Sequence, residues 1–483
     1  MERTPLLRHP ANGRRYSQIP SNDEHSEYSV YSYCGDNFPR PEKRSSRSGT
    51  VDTQISITSD ELPPNLPRRY HRPFFITVVT IVHCALIIYI CVVGGIEDIS
   101  FSPFVMSESV NTFGFIANNN NDSVHKEKVS RYSGVNGFIG PNSSFLVTVG
   151  AKFGPCMKKL EVIENRVKSI EKNESDFVCC SFNGECGMMK NASCPGVVID
   201  SENCTSNSVN CTRGITLRPC CLGLYCQCQV ISQSKCSFQR GHWHKDKLLC
   251  KDVNCLDGIC GMYKVKDKTS GHQWYRLITP IFLHLGVIHL VTNLFFQIPV
   301  GILIEREIGT VRTCLIYLIS GIGGNLFCGL FNPLSPQVGA SGALFGLIGL
   351  LIVKLLQLRH DVRRPCCEVL CLLSVALISF ALGTLPYIGN FVHIGGFLFG
   401  LFASLALLPR TNYRCRNLAV NSCVKAIFTT LLLILLVGMC VAFFLVKNPR
   451  TFCSWCHYVD CVPYKKDHFC PSMNSDGFLD NGT

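Results

Sequence analysis

The 483-residue sequence predicts an all-α membrane protein of seven spans with a disulfide-rich domain outside the bilayer. Three observations predict it. Apolar residues gather in long runs free of Asp, Glu, Lys and Arg. Basic residues concentrate in alternate connections between those runs. Cysteines and Asn-X-Ser/Thr sequons crowd the other connections.

Only 17% of residues are charged, against about 25% in soluble domains. Uncharged apolar runs of about 18 residues or more read as membrane spans. Residues 1–73 are rich in Ser, Arg and Pro without apolar periodicity and read as a disordered cytoplasmic tail. The first span is 74–96. It follows a polar tail with eleven Lys and Arg, so it is expected to act as an uncleaved signal anchor. Residues 97–273 form a Cys-rich, glycosylated loop domain, with one short helix expected between Lys158 and Lys172. Residues 274–409 hold spans 2 to 6. Leu277–Ile304 is one run, and 313–353 and 369–409 are each two helices joined by a polar, Pro-containing turn. The seventh span is 424–447, and 448–483 is a Cys-bearing tail.

Short cytoplasmic loops carry excess Lys and Arg. The connections 305–312, 354–368 and 410–425 carry that excess, while the turns 331–340 and 385–390 hold neither residue. This places the N-terminus in the cytoplasm and the C-terminus outside. The same distribution explains the formal charge of +12 without nucleic acid. Sequons agree: Asn121, Asn142, Asn173, Asn191, Asn203, Asn210 and Asn481 all fall on the predicted outer face of a protein of the secretory pathway, in endoplasmic reticulum, Golgi or plasma membrane. Fifteen cysteines between Cys156 and Cys260 and four in the tail read as disulfides in that compartment, with one left over. Cys453-Ser-Trp-Cys456 therefore reads as a disulfide rather than a metal or redox motif.

Polar groups inside a bilayer are costly and so mark candidate sites. His289 and Asn293 lie one turn apart on span 2, Ser341 opens span 4 and His393 opens span 6. All four fall within about two helical turns of the outer surface, at roughly 1.5 Å per residue. Histidine is the usual base for a serine nucleophile, and no acid stands at that depth, so a Ser341–His393 dyad is the simplest chemistry. Asn293, His289 and the Ser341 backbone N–H are available to stabilise an oxyanion. Taken singly, each of these residues fits helix–helix gluing as well. Gly342 with Gly346, and Gly396 with Gly400, are faces on which spans 4 and 6 can approach closely.

These residues resemble the rhomboid family over 274–409. The resemblance rests on Trp274-Tyr275-Arg276, His284 with His289 and Asn293, Glu305-Arg306, Gly339-Ala340-Ser341-Gly342, and His393 followed by Gly396 and Gly400. It implies a six-helix rhomboid core plus one C-terminal span, and a serine endopeptidase cleaving transmembrane-anchored proteins near the exoplasmic face. Ser341 would be the nucleophile, His393 the general base and then acid, and Asn293 and His289 oxyanion donors, with no metal or cofactor. Arg276 would be a structural loop residue. Phe345 stands where many active members have Tyr. The loop ending Cys250-x4-Cys255-x4-Cys260 and the tail from Cys453 to Cys470 look like the iRhoms. Those are pseudoproteases that bind single-pass membrane clients, notably a cell-surface metalloprotease, and control their trafficking or shedding. Members of that branch typically have Pro before the serine position and lack the oxyanion Asn; here Ala340, Asn293, Ser341 and His393 stand in place.

Overall fold

The computed structural model describes residues 71–99, 105–112, 125–132, 136–182, 185–200, 204, 217–357, 364–383, 389–408 and 418–448, with short pieces of the tail at 453, 455–460, 472–473 and 479–480. Residues 1–70 of the N-terminal tail, four of the seven sequons (Asn121, Asn203, Asn210 and Asn481) and the turn 384–388 lie outside the described residues.

Seven apolar helices are present among the described residues. They are α1 (Phe74–Gly94), α2 (Val287–Ile308), α3 (Thr310–Phe331), α4 (Ser341–Gln357), α5 (Pro365–Leu382), α6 (Asn390–Leu407) and α7 (Leu418–Leu445). Five are long and apolar enough to cross a membrane unaided, whereas Ser341–Gln357 and Cys366–Ala381 are shorter. The protein is a multi-pass membrane protein.

Helix α2 starts ten residues later than the apolar run suggests. Residues Trp274–Leu277 and Thr279–Ile281 form 3-10 turns instead. Pro280 supplies no backbone N–H, and fully extended Gly286 packs its Cα against the Phe138 carbonyl, so neither continues a helix. Within α2, Gln297–Gly301 widens to a π turn around Pro299, a common place for one.

The core is α3, α4 and α6. Each turns glycine toward its neighbours. A Cβ on Gly396 would collide with the Gly342 carbonyl, one on Gly400 with Gly346 Cα, and one on Gly324 would sit 2.6 Å from Val392 O. Backbones therefore touch where side chains ordinarily stand. At the opposite end of α1, the Glu305 carboxylate accepts Phe75 and Ile76 N–H, both at 2.8 Å, and satisfies two orphan donors at the start of that helix.

The disulfide-rich loop domain expected beside the helical core is present, and much of its regular structure is β. Phe177–Phe182 pairs with Glu185–Lys190 and Val197–Ile199, and Leu217–Leu222 pairs with Gln227–Ser232 and His242–Trp243. These strands are short and carry paired cysteines in place of an apolar alternation, so their period is hidden. The expected helix is present at Glu161–Asn173. Among the described residues six disulfides tie the region, 156–260, 179–204, 180–194, 220–236, 221–255 and 228–250, and Cys186 is disulfide-bonded as well. Among the described residues there Cys226 is a free thiol, and burial pushes it up to about 12. The sulfurs of Cys221, Cys228 and Cys255 gather within 4.8 Å, but each is spent in a disulfide. Cys453 and Cys456 are likewise disulfide-bonded.

Candidate active site

Ser341 is the first residue of α4 and His393 the fourth of α6. The glycine contacts bring the two helices together, and Ser341 Oγ lies 3.0 Å from His393 Nε2. His393 is buried, and its Nδ1 finds no hydrogen-bond partner. Its ring is held instead by stacking on Phe345, 4.4 Å between centroids at 13°, with Phe380 of α5 at 6.5 Å. A proton on Nδ1 leaves Nε2 free to accept from the serine hydroxyl, which is the arrangement a general base needs. The geometry is that of a dyad.

His289 reaches the same place. Its Nδ1 accepts from Leu285 N–H at 3.4 Å, which fixes the ring proton on Nε2. The Nε2 edge faces Gly339: a Cβ there would lie 3.1 Å from His289 Nε2 and 3.8 Å from Ser341 Oγ. Gly339 has φ +128°, so only glycine is at ease at this approach. Asn293 is buried one turn along, with one amide hydrogen donated back to His289 O at 2.8 Å. Its second amide hydrogen is the one available to a ligand. His284 and His83 of α1 continue a row of imidazoles behind His289, at 5.4 and 4.9 Å between successive centroids.

Arg276 is structural, as expected. It is fully buried and donates to the carbonyls of Val147, Ala151 and Cys260 and to Gln273, and burial pulls its guanidinium down to about 10. Three sequons are described. Asn173 and Asn191 are exposed, whereas Asn142 caps the helix Ser143–Thr148 and donates to Glu97 Oε1 at 3.1 Å.

Two buried charges near the dyad are not apparent from the sequence. Lys152 of the disulfide domain exchanges two backbone hydrogen bonds with Gln337, both 2.9 Å, and its Nζ donates to Asn332 O and Ser335 O at 2.8 Å. It thus grips the turn that delivers Ser341. Asp460, beyond the seventh helix, lies at the start of α6. In the sequence both look like ordinary loop charges. The one available signal is that the turn 331–340 is polar and uncharged, so its carbonyls need donors from elsewhere.

Residues 271–410 match the rhomboid domain. Inactive rhomboid protein 1 of Homo sapiens is 31% identical over 468 residues, covering 85% of this chain and 53% of that relative. Its counterpart in Danio rerio is 30% identical with the same coverage. Inactive rhomboid protein 2 of Homo sapiens is 28% identical over 477 residues. The chain spans about half the length of the curated relatives it matches, 53% of each.

Proposed function

We propose, for a chain that belongs to the rhomboid family, that it is an intramembrane serine endopeptidase cutting transmembrane-anchored proteins close to the exoplasmic face. The observation that carries this reading is the 3.0 Å contact of Ser341 Oγ with His393 Nε2. In the reaction His393 takes the hydroxyl proton as Ser341 attacks the scissile carbonyl. His289 Nε2–H, the Asn293 amide and the Ser341 backbone N–H face the oxyanion. His393 then returns its proton to the leaving amine, and a water repeats the sequence to release the acyl group.

A second reading has support of a different kind, and the comparisons favour it over the first. The relatives matched over 85% of this chain are named inactive rhomboid proteins, and the match extends well beyond the rhomboid domain. On that reading the chain binds membrane clients and regulates their trafficking or shedding, and the dyad is idle. Full-length protein in nanodiscs separates the two, incubated with a single-pass substrate and with a serine-reactive phosphonate. The protease reading expects cleavage and labelling at Ser341, both lost in Ser341→Ala and His393→Ala. Folded wild type that neither cleaves nor labels, while still co-purifying a membrane client, overturns it and leaves the second reading.

A further inference from the structure

We infer that Asp460 is a positioning residue for the Ser341–His393 pair, supplied by the segment after α7; the inference rests on the protease reading for its effect on rate, but its geometry stands apart from it. Helix α6 lacks a side-chain cap of its own, because its N-cap position is Gly389. Its first turn therefore presents backbone donors that need an acceptor. Asp460 supplies one from outside the helix: its Oδ1 accepts the Phe391 N–H at 3.1 Å. A carboxylate at a helix N-terminus is favourable both as acceptor and as charge.

The second carboxylate oxygen links this cap to the serine. Asp460 Oδ2 accepts from Asn332 Nδ2 at 2.6 Å, and Asn332 belongs to the turn that leads into α4. The same Asn332 gives its carbonyl to Lys152 Nζ at 2.8 Å. A continuous path thus runs from Lys152 through Asn332 to Asp460 and on to Phe391, two residues before His393. One end holds the serine turn, and the other holds the first turn of the histidine helix.

A neighbouring bond repeats the design, since Asn390 Nδ2 donates to Val459 O at 2.7 Å. The segment itself is held in place. Cys453 and Cys456 are joined, and both sulfurs are buried in one apolar cluster with Cys328 of α3 and with Phe391 and Val392 of α6. Asp460 is buried, so its two bonds are made away from water and their loss leaves donors unpaired.

A dyad needs its two atoms held to a fraction of an ångström, and a misplacement of about 1 Å costs roughly 100-fold in rate. The α4 and α6 backbones touch along their glycines, which sets their spacing. Slide and rotation at the ends carrying Ser341 and His393 are left to the end contacts. Asp460 is the one side chain in this path that bonds both ends directly.

The test uses full-length protein in phosphatidylcholine nanodiscs with two readouts, hydrogen exchange and phosphonate labelling of Ser341. Asp460→Ala is expected to speed exchange in peptides covering 332–341 and 389–395, leaving α3 and α7 peptides unchanged. The same variant should lower the maximal labelling rate by about 100-fold with little change in half-saturating phosphonate. Asp460→Asn is expected to restore both, because its oxygen still caps Phe391 and its amide pairs with Asn332 once that amide turns over. Exchange in Asp460→Ala equal to wild type overturns the proposal. So does a loss spread over every helix and shared equally by Asp460→Asn, which marks general unfolding. If wild type does not label, the protease reading fails by itself, and the exchange arm still decides whether Asp460 holds the two ends.

Discussion

Helices α6 and α7 are both apolar, yet of an 18-residue apolar stretch in each, 61% is buried inside the protein in α6 and 11% in α7. Their glycines differ as well. Gly396 and Gly400 meet the α4 backbone with no room for a methyl group, while Gly438 of α7 meets nothing within 4 Å. Apolar character alone thus says that a helix belongs in lipid. The placing of small residues says which face belongs against another helix. Helix α7 packs through side chains, with Leu432 in the main apolar cluster and Phe443 beside Leu326, and its end is tied by Lys158 Nζ, which donates to Phe443 O and Val446 O at 2.7 and 2.9 Å.

The comparison can be broken or sharpened at several points. On the protease reading, the largest effect belongs to Ser341→Ala, which removes cleavage by about 1,000-fold or more and lowers the thermal midpoint only slightly, because the buried His393 Nε2 loses one hydrogen-bond partner. Gly396→Val should do the opposite of sparing the fold. Driving a branched side chain into the Gly342 carbonyl is expected to cost about 3 kcal/mol or more, read as a fall in unfolding midpoint together with lost labelling. An unchanged midpoint in that variant would mean that α4 and α6 are not in backbone contact. Lys158→Met tests the end attachment of α7. Two carbonyls lose their donor, a cost of about 1–3 kcal/mol, and limited proteolysis should cut first beside α7. Phe345→Tyr keeps the ring stack and adds a hydroxyl, so the labelling rate should move by less than about 10-fold. Gly438→Ala is the smallest: on an open helix face it should stabilise by at most about 1 kcal/mol, and a marked loss would reveal a hidden contact on α7.

Much of this was legible because the costs involved are local. Uncharged runs exposed the helices, and the glycine spacing on 342/346 and 396/400 pointed to the contact that brings Ser341 to His393. The start of α2 was not legible, because residues 277–286 are as apolar as a span. Their 3-10 turns come from Pro280 and from the packing of Gly286 on Phe138 O, a contact between residues far apart in the sequence. The β character of 177–243 was hidden for another reason. Disulfides there replace the alternating apolar face that ordinarily announces a strand. Lys152 and Asp460 escaped notice because a buried charge is recognised by its partners. Those partners, Asn332 and Phe391, are far away in sequence.

The way His393 is held has a consequence for how such a protein changes over generations. Its imidazole is kept in place by the flat face of Phe345 and by the surrounding helices, with Nδ1 bonded to nothing. The fold therefore loses little if that ring is exchanged for another of similar shape, or if Ser341 loses its hydroxyl. Chemistry and folding are almost independent variables at this position. On the protease reading, a lineage can lose catalysis without passing through an unfolded ancestor, because a few side chains carry the chemistry and others carry the fold.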